Sequence, residues 1–152
     1  MIKNHPQVCL YMPEIPQNTG NIGRLCAATQ SRLHLIKPFG FSPSDKNLRR
    51  AGLDYWPYLD VEIHENAEDL FQKFAPSKIA FFSKFATKSY AEMPDDVELI
   101  VFGRETKGLP EEIREQYSES LYSLPMFHPK VRSFNLANSV AIAVHHILAK
   151  RT

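Results

Sequence analysis

Several things this sequence has little of restrict what it can be. It carries no excess of one charge: 18 Lys and Arg face 17 Asp and Glu, for a formal net charge of +1. The general positive field of a strongly basic nucleic-acid binder is therefore absent, and any affinity for nucleic acid must come from a local patch. It has only two cysteines, Cys9 and Cys26, in apolar stretches without CxxC spacing. That excludes a disulfide framework or a zinc site and reads as two buried, reduced thiols of a cytosolic protein. The six histidines fall into no ligand spacing, with His145-His146 near a helix end and His64-Glu65 at a strand end, so no metal is expected. The opening Met1-Ile2-Lys3-Asn4-His5-Pro6 lacks the apolar run of a signal peptide, and no stretch approaches membrane-spanning length. The expected location is the cytoplasm, with no membrane partner. Repeats, linkers and low-complexity segments are also missing.

What is present is a chain of 152 residues with 43% hydrophobic content, which suits one compact domain over 1–152 and leaves no room for a second. Short apolar runs at 8–12, 33–36, 61–64, 79–83, 99–102 and 121–124 read as strands. Between or after them, helices are expected at about 19–30, 67–74, 110–116 and 135–150, the last with Leu136, Val140, Val144, Ile147 and Leu148 at helical spacing. This alternation predicts the α/β class, a mainly parallel sheet flanked by helices.

Three constellations exceed what such a fold requires. The first is Asn18-Thr19-Gly20-Asn21-Ile22-Gly23-Arg24, after the first strand. Asn18 suits an N-cap. Ile22, Leu25, Cys26 and Thr29 share a stripe expected to face the sheet, and Gln17, Asn21, Arg24 and Ala28 share the opposite one. Arg24 is thereby held on a rigid element near the carboxyl ends of the strands, where open α/β sheets bind ligands.

The second is Phe102-Gly103-Arg104-Glu105-Thr106-Lys107-Gly108-Leu109-Pro110. Its glycines have Walker A spacing, but Leu109 and Pro110 stand where the phosphate-binding Lys and magnesium-binding Ser or Thr belong. A GxGxxG fingerprint is missing as well. A plain strand-to-helix turn accounts for both glycines and Pro110 and leaves Glu105 without a role. The third runs from Leu124-Pro125-Met126 to Arg132-Ser133-Phe134-Asn135-Leu136-Ala137-Asn138-Ser139-Val140-Ala141. Capping needs one of its polar residues; the others are solvated, satisfied within the fold or aimed at a ligand such as a nucleoside or amino acid. A fourth segment, 46–58, concentrates Lys46, Arg49, Arg50, Tyr55, Trp56 and Tyr58. It fits single-stranded RNA, and it equally fits Leu48, Leu53 and Trp56 packing on the core.

Taken in order, residues 18–24, 102–110 and 124–141 resemble the three motifs of the SPOUT methyltransferases and span nearly the whole chain. Tyr11-Met12-Pro13-Glu14-Ile15-Pro16-Gln17-Asn18-Thr19-Gly20-Asn21, with Leu48-Arg49-Arg50-Ala51-Gly52-Leu53-Asp54-Tyr55, is similar to the short tRNA wobble-nucleotide 2'-O-methyltransferases, which consist of the catalytic domain alone. Arg104 stands where some relatives have proline, and Phe134 where methionine is common.

The resemblance implies a C-terminal trefoil knot around 124–138 and S-adenosylmethionine bent against the knotted loops. Phe81 or Phe82, Gly103, Leu124, Met126, Ser133 and Leu136 would surround it. It implies methyl transfer to the ribose 2'-hydroxyl of the wobble nucleotide of tRNA (position 34, cytidine or modified uridine), leucine tRNAs in particular, by a homodimer meeting through the helices of the first and third motifs. It gives Arg24 the leading catalytic role, with Asn18, Glu105 and Asn135 holding Arg24 and the nucleotide. Arginine stays protonated, so Arg24 either grips a phosphate and stabilises the developing alkoxide or acts as an unusual base. Arg49 and Arg50 would take tRNA phosphates while Tyr55 or Trp56 supports a base. Two other readings are a 2'-O-methyltransferase for another tRNA or ribosomal RNA position and a non-catalytic RNA-binding factor. The intact set Asn18, Arg24, Glu105, Ser133 and Asn135 favours an active enzyme.

Overall fold

The computed structural model describes residues 4–42, 44–46, 50 and 53–152, with Leu53, Asp54 and Trp56 described in their backbone alone. The strands form as the apolar runs predict: β1 (Gln7–Tyr11), β2 (Leu33–Ile36), β3 (Val61–His64), β4 (Ile79–Phe82), β6 (Leu99–Phe102) and β7 (Leu121–Ser123). A further two-residue strand, β5 (Lys88–Ser89), is too short and too polar to be visible as a run. All seven pair in parallel, in the order β3-β2-β1-β6-β4-β7-β5. Every residue of β2, β4 and β6 is buried, as expected of strands covered on both faces.

Helices α1 (Pro16–Thr29), α2 (Ala67–Phe71), α3 (Glu111–Gln116) and α4 (Leu136–Arg151) cover the sheet. On one face, Ile22 and Cys26 of α1 and Val140, Ala143, Val144 and Ile147 of α4 pack on Val8, Leu10, Ala80, Phe82, Ile100 and Phe102. On the other, Ala67, Leu70 and Phe71 of α2 meet Cys9, Ile36, Ile79, Phe81, Leu99 and Val101, with Ile113 of α3 against them. Both cysteines are free and buried, and burial pushes the Cys26 thiol up to about 12 and that of Cys9 higher still. Among the described residues, no helix is long and apolar enough to cross a membrane.

The first helix corrects one expectation. It begins at Pro16, not near residue 19, and its N-cap is Ile15, whose side chain caps nothing. Proline at the first helical position is already set in helical φ and lacks the N–H that would go unpaired there. Asn18 is therefore inside the first turn and buried, free for another task. The face sorting holds: Gln17, Asn21, Arg24 and Ala28 are exposed, and Ile22, Cys26 and Thr29 are buried.

Parallel register also brings together two histidines that lie far apart in sequence. His34 on β2 and His64 on β3 are both buried. His34 Nε2 donates to Gln7 Oε1 at 2.7 Å, which leaves Nδ1 to accept from His64 Nε2 at 2.9 Å. Glu62 lies 3.8 Å from His34 and the same distance from Lys73. Burial first, then the neighbouring His64, pushes His34 down to about 4 from its ordinary 6.5. The unfolded chain takes up this proton near pH 6.5 and the folded one only near 4, so the stability contribution is complete above 6.5 and declines as the pH falls toward 4. Unfolding free energies at about pH 7.5 and about pH 5 should differ by roughly 2 kcal/mol on account of this group. His34→Gln should remove most of that difference; an unchanged acid sensitivity would contradict the assignment.

Candidate active site

The four adjacent strands β1, β6, β4 and β7 run parallel, so their carboxyl ends deliver four loops to one edge of the sheet. Ligands of open α/β sheets bind at such edges. The loops enclose a cavity of about 910 Å³. Ile15 and Asn18 come from the start of α1, Phe82 to Phe85 from the end of β4, Phe102 to Leu109 from the end of β6, and Ser123 to Met126 with Val131 to Leu136 from the segment after β7. A more open hollow of about 870 Å³ lies at the β2–β3 edge, lined by Lys37, Pro38, Phe39, Phe41, Ile63 and Glu65, and it contains none of the motif residues.

The loop after β6 is folded back on itself. Arg104 and Gly108 exchange backbone hydrogen bonds of 3.3 and 2.9 Å, and Gly108 takes the left-handed φ of +65°. A Cβ on Gly103 would stand 2.2 Å from the Gly108 carbonyl carbon, so only glycine fits there. This tight reversal aims Glu105 at the start of α1. Its carboxylate accepts from the backbone N–H of Glu14 at 3.0 Å and of Ile15 at 2.7 Å, and from Asn18 Nδ2 at 3.4 Å. Glu105 thus supplies the acceptor that Ile15 lacks, with its negative charge at the positive end of the helix.

The network continues into the third motif. Asn135 Nδ2 donates to Asn18 Oδ1 at 3.0 Å, and Asn135 Oδ1 caps α4 by accepting from the N–H groups of Ala137 at 2.9 Å and Asn138 at 3.3 Å. In return, Glu14 Oε1 accepts from the Thr106 N–H at 3.1 Å and hydroxyl at 2.8 Å. These two bonds, with Arg104 and Lys107 nearby, hold the Glu14 carboxyl below the usual carboxylate range.

Of the expected cofactor residues, Phe82, Gly103, Leu124, Met126, Ser133 and Leu136 all line the cavity. Phe81 does not. Side chains alternate along a strand, and Phe81 points to the opposite face, where its ring stacks 4.4 Å from Tyr117. Phe82 instead stacks 4.8 Å from Phe102 on the cavity side. Asn18, Glu105 and Asn135 meet as expected, but not around Arg24. Arg24 stands six positions beyond Asn18, about 240° around a helix, so it lies on the exposed face. There its guanidinium sits 4.7 Å from the centre of the Tyr55 ring. Tyr55 and Arg50 are exposed; Arg49 and the Trp56 side chain lie outside the described residues. Glu14, Thr106, Lys84 and Phe85 went unassigned from sequence, although Lys84 and Phe85 follow directly on β4, at the end of a parallel strand.

The model of the SpoU rRNA Methylase family matches residues 5–145. The chain belongs to that family. A tRNA (cytidine(34)-2'-O)-methyltransferase of Methylovorus glucosotrophus is 48% identical over 140 residues, 91% of this SpoU methylase and 90% of the relative. A solved structure concerned with the 2-OH methylation of C/U34 on tRNA superposes with a TM-score of 0.87 at 37% identity, covering 99% of this chain and 98% of that one. An AdoMet-bound rRNA methyltransferase from Sinorhizobium meliloti shares the fold, with a TM-score of 0.85 at 20% identity over 99% of this chain and 58% of that one.

In this SpoU methylase, Glu105→Gln keeps the size of the side chain but replaces one acceptor oxygen by a donor that faces other donors. Denaturant unfolding should show a loss of about 1.5 to 3 kcal/mol, the range for hydrogen bonds to charged groups. Wild-type stability would mean that the carboxylate does not hold the loops together.

Proposed function

We propose that this SpoU methylase transfers a methyl group from S-adenosylmethionine to the ribose 2'-hydroxyl of the wobble nucleotide of tRNA, a cytidine or modified uridine at position 34, leucine tRNAs among its substrates. The observation that carries this reading is the 48% identity, over nine-tenths of both chains, to a tRNA (cytidine(34)-2'-O)-methyltransferase. The linked Glu105, Asn18 and Asn135 speak for a working site over a non-catalytic binding factor.

The cavity suits the cofactor. Phe82, Leu124, Met126 and Leu136 offer apolar walls, and Gly103 and Ser133 offer backbone and hydroxyl groups among them, a mixture appropriate to an adenosine joined to an amino acid. The bound cofactor supplies an electrophilic methyl on a sulfonium, which requires no metal for activation. In this reading the segment around 124–138 is threaded as a trefoil knot to form the far wall.

Arg24 acts from the helix beside the cavity. As a permanent cation it grips a nucleotide phosphate and stabilises negative charge developing on the ribose oxygen, whose proton leaves to phosphate or water. Tyr55 lies against the guanidinium and limits the directions in which it can point. The Glu105–Asn18–Asn135 chain positions the start of α1, and hence Arg24, without touching it. The outward stripes of α1 (Gln17, Asn21, Arg24, Ala28) and of α4 (Asn138, Ile142, His145, Ala149) are exposed, and on this reading two copies meet there as a homodimer.

Ribose-methylation mapping of tRNA treated with the purified protein should find the wobble position modified, and Arg24→Ala should abolish transfer while calorimetric affinity for S-adenosylhomocysteine stays within about threefold. Modification found only at another position would discard the substrate. In light scattering at micromolar concentration the protein should run as a dimer, and a purely monomeric species would remove the homodimer from the account.

A further inference from the structure

A net charge of +1 leaves the RNA contacts to a local patch, and the ion pairs show where such a patch is. Arg32–Asp60, Lys37–Glu65 and Lys73–Glu62 lie along the β2–β3 edge, and Lys78–Asp96 and Lys150–Asp95 at the amino end of the sheet. Those pairs occupy Asp60, Glu62, Glu65, Asp95 and Asp96, all away from the cavity. Lys84, Arg104, Lys107 and Arg132 line the cavity, and Arg114 stands beside it. Among the described residues, none of these five cations is in an ion pair with a carboxylate. Glu14, whose charge Arg104 and Lys107 help to stabilise, and Glu105 accept from Thr106 and from the amides at the start of α1. Glu111 and Glu112 occupy the first turn of α3, at its amide end. Arg104 Nε is buried without a partner.

An aromatic ring stands within this rim. Phe85 is 59% exposed. The Arg114 guanidinium lies 4.3 Å and the Lys84 ammonium 5.3 Å from its centre. Arg114 is itself oriented by a bond from its Nε to the Leu109 carbonyl at 3.3 Å. An exposed ring flanked by cations, at the mouth of a cavity lined by further cations, has the composition of a single-stranded nucleic-acid track: rings stack bases and cations hold the phosphates between them. The single carboxylate of an amino-acid cofactor would not need five cations.

We propose that Lys84, Phe85, Lys107, Arg114 and Arg132 form a track for the RNA strand flanking the reacting nucleotide, with an unpaired base stacked on Phe85. This rests on RNA being the substrate and adds a contact surface separate from the segment containing Arg50 and Tyr55.

The test is tRNA binding by the whole protein, measured by fluorescence anisotropy across a range of salt concentrations. Lys84→Gln, Arg114→Gln and Arg132→Gln should each weaken binding and lower the slope of log affinity against log salt by about 1. Phe85→Ala should weaken binding at least about fivefold with the slope unchanged, and Phe85→Trp should restore it, because a stacked ring releases no counterions. Circular dichroism spectra and thermal midpoints matching wild type show that the Lys84, Phe85, Arg114 and Arg132 variants are folded. Wild-type tRNA affinity and slope in all four substitutions would overturn the track, as would losses of cofactor and tRNA affinity in parallel. Methylation at position 34 with normal tRNA binding by the variants removes the track alone. Lost tRNA binding by the variants, with the wild type modifying another position, keeps the track and removes the wobble assignment.

Discussion

One carboxylate, that of Glu105, collects the free donors of the loops that build the site. The amides of Glu14 and Ile15 point to it directly. The amides at the start of α4 reach it through two side chains in series, from Ala137 and Asn138 to Asn135, from Asn135 to Asn18, and from Asn18 to Glu105. Every bond in that series is oriented the same way, so each polarises the next toward the negative end. Three loops that are distant in sequence are thus fixed relative to one another at a single charged group, and the cavity between them has its shape as a consequence. Glu14, donating its N–H to Glu105 and accepting from Thr106, closes the same junction from the other side.

Below this junction, the sheet supplies the rigidity that the loops lack. β1, β6 and β4 are buried on both faces, so their carboxyl ends have little freedom, and the turns that follow start from fixed positions. Gly103 and Gly108 permit the reversal that turns Glu105 back toward α1, which explains both glycines without a phosphate. The resulting division is between a static frame, made of apolar strands and their helices, and a polar junction at one edge whose bonds can be broken singly.

Much of this was legible in the sequence, and the failures have physical reasons. Continuous apolar runs such as Ile79–Phe82 announce strands covered on both faces, but such a run has no polar alternation to reveal which residue faces which side; Phe81 and Phe82 could not be told apart until α4 was seen to lie over Phe82. Asn18 has the chemistry of an N-cap, and local preference favours that role, yet Pro16 starts the helix one turn earlier and frees Asn18 for the network. Glu105 stood out because a turn gave it nothing to do. The His34–His64 pair was hidden because only the parallel register joins them. Likewise, Lys84 and Phe85 look like ordinary loop residues until the strand order places them at the mouth of the cavity.

The central claim is that the Asn135–Asn18–Glu105 series acts as one unit that shapes the cavity. A double-mutant cycle on affinity for S-adenosylhomocysteine tests it most directly, combining Asn18→Ala with Asn135→Ser, which keeps a capping oxygen for α4 and loses the amide donor. Residues acting as a unit should show a coupling of about 1 kcal/mol, the double variant binding little worse than the weaker single one. Effects that add to within about 0.3 kcal/mol would show that the two side chains contribute separately, and would contradict the account.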